Sequence, residues 1–132
     1  MATVWQNTKI LLAPSLWHES GSRTIVEACS AGIPVLATAS GGNPELLGDA
    51  GWIFPIPDEL KENFVAPPVP ESVGPWVDTI EMLVSDPDAY ASASARAKKR
   101  WNALNESNSA ARLEKIFGDV IEKVQEKPSR PS

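Results

Sequence analysis

One cysteine, one histidine and no long apolar run set the first limits on this chain of 132 residues. The lone Cys29 excludes a disulfide within the chain and fits a reducing, cytoplasmic compartment. The lone His18 has no second histidine or cysteine ligand near it, which argues against a metal centre and for a packing or hydrogen-bonding role. No stretch approaches the roughly 18 apolar residues that a transmembrane helix needs. The amino terminus, Met1-Ala2-Thr3-Val4-Trp5-Gln6, lacks the basic and apolar regions of a signal peptide. A dinucleotide-type glycine fingerprint and a P-loop are both missing, which weighs against an unrelated α/β nucleotide binder. Positive charge is also short, since the net charge is −5, and that argues against a nucleic-acid partner. The deficit lies in residues 1–60, where Lys9 and Arg23 face Glu19, Glu27, Glu45, Asp49, Asp58 and Glu59.

What is present is a globular composition, 42% hydrophobic and 22% charged, enough for one domain over residues 1–132 but not for two lobes. Residues 9–14 form a short apolar run closed by Pro14 and predict a buried strand. A helix is expected from about Ser22 to Ala31, with Ser22 as its cap and Gly32 as its stop. Ile25, Ala28 and Cys29 recur at helical spacing and should face the sheet. Residues 34–39 give a second strand entered at Pro34, where proline is tolerated. Strand, helix and strand in about 30 residues make a right-handed parallel βαβ unit. A Gly41-Gly42-Asn43 loop, a helical turn at Pro44-Glu45 and a third strand at Trp52-Ile53-Phe54 complete a motif core over residues 8–54.

Residues 55–75 contain six prolines and predict an extended loop. Helices follow over about residues 76–126. The first covers about residues 72–85 with Trp76, Ile80, Leu83 and Val84 on one face, the second runs from Pro87 to about Leu104, and the third from Ser109 to Gln125. The expected fold class is α/β: a partial Rossmann-like parallel sheet flanked by helices, with a helical last third. The chain starts almost at a strand, as though earlier βα units were missing, and the sheet edge this leaves should invite pairing with another chain.

Glu19 and Glu27 bracket a Ser/Gly-rich turn between the first strand and its helix. Helix N-termini offer free N–H groups to anions, and carboxylates accept hydrogen bonds from hydroxyls, so this spacing suits a phosphorylated sugar.

Pro14-Ser15-x-x-x-Glu19, the seven-residue gap to Glu27-Ala28, Ala31-Gly32-Ile33-Pro34-Val35, Gly41-Gly42-x-x-Glu45 and Gly48-Asp49-Ala50-Gly51 appear in order. Together they resemble the C-terminal, donor-binding lobe of family 4 glycosyltransferases, retaining enzymes with two Rossmann-like lobes in the GT-B arrangement. The resemblance is close over residues 8–54 and loose beyond residue 72. It implies that Glu19 approaches the transferred sugar in the catalytic position, that Glu27 holds the ribose hydroxyls, and that the turn Gly21, Ser22, Arg23 and Thr24 meets the diphosphate and sugar. It implies a nucleotide-sugar donor, no required metal or other cofactor, and an acceptor lobe supplied by a missing N-terminal portion or a partner chain. Two departures stand out. Ser20-Gly21-Ser22 replaces the usual Gly-Phe-Gly, and Arg23 replaces an apolar residue, either as a phosphate cation or as a solvent-facing side chain. The Arg and Lys that neutralise the leaving diphosphate in the family have no counterpart, so the isolated chain is expected to turn over little.

Simpler roles exist for the same residues. Thr24 and Glu27 match the S/T-x-x-E capping box. Glu19 alone is an ordinary loop carboxylate, and Cys29 is a core residue rather than a nucleophile. Arg96, Lys98, Lys99 and Arg100 form a basic run of the kind that usually marks a solvated helix face. The functional alternative to a glycosyltransferase portion is a non-catalytic interaction or regulatory domain that kept the fold.

Overall fold

The structure, a computed structural model, describes residues 2–18, 20–107 and 109–125. Its elements run α1 (Ala2–Gln6), β1 (Leu11–Ala13), α2 (Arg23–Ser30), β2 (Val35–Thr38), α3 (Asn43–Leu47), β3 (Trp52–Phe54), α4 (Asp58–Glu62), α5 (Pro70–Ser85), α6 (Pro87–Ser107) and α7 (Ala110–Gln125). The chain divides into two compact units, residues 1–101 and 102–132. The first holds a three-stranded sheet of order β1-β2-β3, parallel throughout, with Leu12 opposite Leu36 and Ala37 opposite Ile53. The second consists of the end of α6 and the amphipathic α7, whose Leu113, Ile116, Phe117, Val120 and Val124 recur at helical spacing. Among the described residues, no helix is long and apolar enough to cross a membrane.

β2 is buried along its whole length, as expected of a parallel strand covered on both faces. Val35 and Ala37 join Ile25, Ala28 and Cys29 of α2 on one face, with Leu47 and Ala97. Leu36 joins Leu83 and Ala93 on the other, ringed by Trp52, Phe54, Trp76 and Ile80. Ile25 is fully buried and contributes about 2–3 kcal/mol by leaving water. Helix α2 ends in a Schellman turn: Gly32, at φ 70°, sends its N–H to Cys29, and Ile33 sends its own to Ala28.

Three expectations are corrected. A short helix, α1, precedes β1, so the described chain does not open at a strand. The proline-rich stretch is not one extended loop, because α4 occupies residues 58–62 and α5 begins at Pro70. Pro57 and Pro70 stand at helix starts, where a missing N–H costs nothing. The Glu59 carboxylate also ties the two helices together, accepting from the Val69 N–H and the Ser72 hydroxyl at 3.0 Å each. These bonds, the Val69 one foremost, hold the Glu59 carboxyl below its usual pKa. Third, Val84 is exposed while Leu83 is buried, so the face of α5 turned to the sheet is Trp76, Ile80 and Leu83.

The basic run on α6 does structural work. Arg100 donates to the Leu46 carbonyl at 2.8 Å and the Glu45 carbonyl at 2.6 Å, capping the end of α3. The Arg96 guanidinium lies 5.2 Å from the Trp52 ring centroid.

Two outcomes are expected. A methyl group at Gly51 would sit 2.4 Å from the Val35 carbonyl oxygen, so Gly51→Ala should cost about 1–3 kcal/mol in urea unfolding at an unchanged m-value. Burial pushes the Cys29 thiol pKa above its usual value, against the opposing pull of Arg100. Native protein at pH 8 should therefore leave Cys29 unlabelled by Ellman's reagent, and denaturant should expose it.

Candidate functional site

In a parallel sheet the carboxyl ends of adjacent strands share one edge, and the loops leaving them meet there. β1 ends at Ala13 and feeds the loop into α2, while β2 ends at Thr38 and feeds Ala39–Gly42 into α3. The two loops are fastened to each other by hydroxyls. Thr38 Oγ1 donates to the Ser15 carbonyl at 2.5 Å, and Ser40 Oγ donates to the Trp17 carbonyl. Both side chains are buried.

Between the loops lies a crevice of about 350 Å³, lined in part by Pro14, Ser15, Ser22, Thr24 and Asn43. Helix α2 points its N-terminus at it. Ser22 is the N-cap residue, with φ −85° and ψ 112°, yet its side chain makes no capping bond. The first-turn N–H groups have no intrahelical acceptors, so they remain available to a ligand. Asn43 is fully buried, sends Nδ2 to the Thr38 carbonyl at 3.4 Å, and leaves Oδ1 without a partner.

Of the residues singled out from sequence, Ser22 and Thr24 line this crevice. Glu19 lies outside the described residues. Gly21 is exposed and open space surrounds it, so no packing constraint demands glycine there. Arg23 is 93% exposed and pairs with Glu27, Nε to Oε1 at 2.9 Å. Glu27 is 27% exposed, and its Oε2 accepts from the Trp5 indole N–H at 3.3 Å. The capping-box reading of Thr24 and Glu27 is thereby overturned, because Ser22 occupies the N-cap position and Glu27 binds Arg23 and Trp5 instead. His18 is exposed.

Four contributors escaped the sequence reading: Trp5, Thr38, Ser40 and Asn43. The signal for Thr38 and Ser40 was two hydroxyl residues closing an otherwise apolar strand. Trp5 and Asn43 carried no local signal, since each acts across a long sequence separation or through burial. Among the described residues, no group of three or more His, Cys, Asp and Glu side chains could hold a metal ion. The arrangement offers backbone donors for an anion and the Asn43 amide oxygen for a hydroxyl, with the Glu27 carboxylate a turn further along α2.

The model of the family described as glycosyl transferases group 1 matches residues 1–100. No curated protein matches the chain.

Thr38→Val should remove the bond that holds the β1–α2 loop to β2. The expected loss is about 1–2 kcal/mol. Amide hydrogen exchange should quicken at residues 15–18 while β3 stays protected.

Proposed function

The chain belongs to the glycosyl transferases group 1 family, and from that premise we propose that it is the nucleotide-sugar-binding portion of a retaining, family 4 glycosyltransferase. The observation that carries this reading is the uncapped N-terminus of α2, opening on a crevice at the carboxyl edge of a parallel sheet. A donor diphosphate would lie against the first-turn N–H groups, which carry about half a unit of positive charge. Glu27 would take the ribose hydroxyls. Its oxygens already accept from Arg23 and Trp5, but each carboxylate oxygen has a second lone-pair site. Those two donors hold the carboxylate in one orientation before the ligand arrives. Glu19 would approach the transferred sugar.

In this reading, the acceptor oxygen bonds to the anomeric carbon on the face that the diphosphate leaves. The carbon–oxygen bond to the diphosphate breaks, and the acceptor's proton passes to the departing phosphate oxygen. No metal is required for these steps. The acceptor site and the cations that stabilise the leaving group would come from a further lobe or a partner chain, so the portion seen here binds the donor rather than completing the transfer.

Ligand-observed NMR with UDP-, GDP- and ADP-sugars tests the assignment. One nucleotide class should bind the wild type. Glu27→Ala should weaken it about tenfold or more, the scale of losing hydrogen bonds to a charged group, with the thermal transition retained. Unchanged binding in the variant would remove Glu27 from the ribose site. A folded wild type that ignores every donor but captures a protein partner would favour a non-catalytic interaction domain.

A further inference from the structure

Buried polar atoms are almost always paired, and an unpaired one calls for a reason. Among the described residues, Asn43 Oδ1 is the buried side-chain atom without a partner. The residue is fully buried and it lines the crevice ahead of α2. Its Nδ2 is committed to the Thr38 carbonyl, so the group it can offer to a ligand is the carbonyl oxygen. That oxygen accepts and cannot donate. A diphosphate, itself an array of acceptors, would be repelled by it. A hydroxyl would satisfy it.

We propose that Asn43 is a specificity-determining residue that reads a hydroxyl of the transferred sugar. This inference rests on the donor-site reading above. The position favours the sugar over the ribose. Asn43 shares the crevice with Ser22 and Thr24, ahead of the helix, whereas Glu27 does not line that crevice and sits a turn further along α2. A diphosphate at the helix start separates the two ends of the donor. With the ribose at Glu27, the group that enters the crevice beyond the diphosphate is the sugar. The orphaned amide oxygen is then a cost of the unliganded state that the sugar hydroxyl removes on binding.

The test compares two ligands on three proteins: a nucleoside diphosphate and the matching nucleotide sugar, titrated into wild type, Asn43→Leu and Asn43→Ala. The pairs used are UDP with UDP-glucose, GDP with GDP-mannose and ADP with ADP-glucose. Leucine is close to isosteric. It removes the unpaired oxygen together with the Nδ2 bond to the Thr38 carbonyl, which keeps the Ser40 N–H as a donor, so that variant should stay folded with a melting temperature close to wild type. Alanine supplies a second variant should leucine prove too bulky to fold. Both should bind the bare nucleoside diphosphate within about twofold of wild type and the nucleotide sugar about tenfold more weakly. Equal weakening of both ligands, or of neither, would overturn the role of Asn43 while leaving the donor site standing. A folded wild type that binds neither ligand of any pair would overturn the donor site itself, and this inference with it.

Discussion

Val35, Leu36, Ala37 and Thr38 are buried on both faces of the sheet, and the parallel ladders they make with β1 and β3 place every later feature. Parallel pairing sends the ends of β1 and β2 to the same edge, so the two loops that follow must meet. Burial on both faces fixes the register, because a slip of one residue would exchange Val35 and Ala37 for Leu36 and Thr38. The same strand admits few changes around it. The Val35 carbonyl leaves no room for a side chain at Gly51, and small Ala93 and Ala97 let α6 approach.

At the end of β2 the chemistry changes from apolar to polar within a few residues, and this is where the candidate site lies. Thr38 and Ser40 use their hydroxyls to hold the preceding loop in place. Asn43 takes the Thr38 carbonyl with one end of its amide and leaves the other end open. Loops that carry ligand contacts gain precision when buried side chains fasten them to rigid elements. Here the fastening comes from the end of the neighbouring strand and the loop that follows it rather than from the loop's own residues. Ser22 adds to this by leaving the helix start without a side-chain cap, so the first-turn N–H groups of α2 stay open.

The three strands and α2 were legible in the sequence because period and punctuation agreed, but β1, expected to be buried, is a sheet edge that leaves Leu12 exposed. Ile25, Ala28 and Cys29 fall on one helical face, and Gly32 supplies the left-handed residue that a Schellman turn requires. The stretch from residue 55 to 75 departs from an extended loop because proline acts by position rather than by number: Pro57 and Pro70 stand at helix starts. Val84 misled by one residue, since Leu83 and Val84 are both apolar and only packing decides which is turned inward. Of the site, the helix start was legible and its surroundings were not. Trp5 reaches Glu27 across 22 positions, and no local pattern announces such a pairing. The capping-box pattern of Thr24 and Glu27 was a true motif in the wrong register, because the N-cap is Ser22, two residues before Thr24.

On the donor reading, charge would make donor binding and turnover separable properties. Residues 1–60 hold only two cations, Lys9 and Arg23. Arg23 is engaged with Glu27. Lys9 precedes β1, at the opposite edge of the sheet from the crevice, with its ammonium 5.3 Å from the Tyr90 ring centroid. On the donor reading, a diphosphate at α2 therefore meets oriented backbone N–H groups rather than side-chain charge. Such dipoles are worth typically 0.3–1 kcal/mol, up to about 2 when partly buried, which is enough to position a bound anion. They supply little of the extra stabilisation required as the sugar departs and negative charge builds on the leaving phosphate, where preorganised full charges matter most. On that reading, a scaffold that docks the donor through backbone dipoles would leave the rate of transfer to cations brought to the same edge by another lobe or chain.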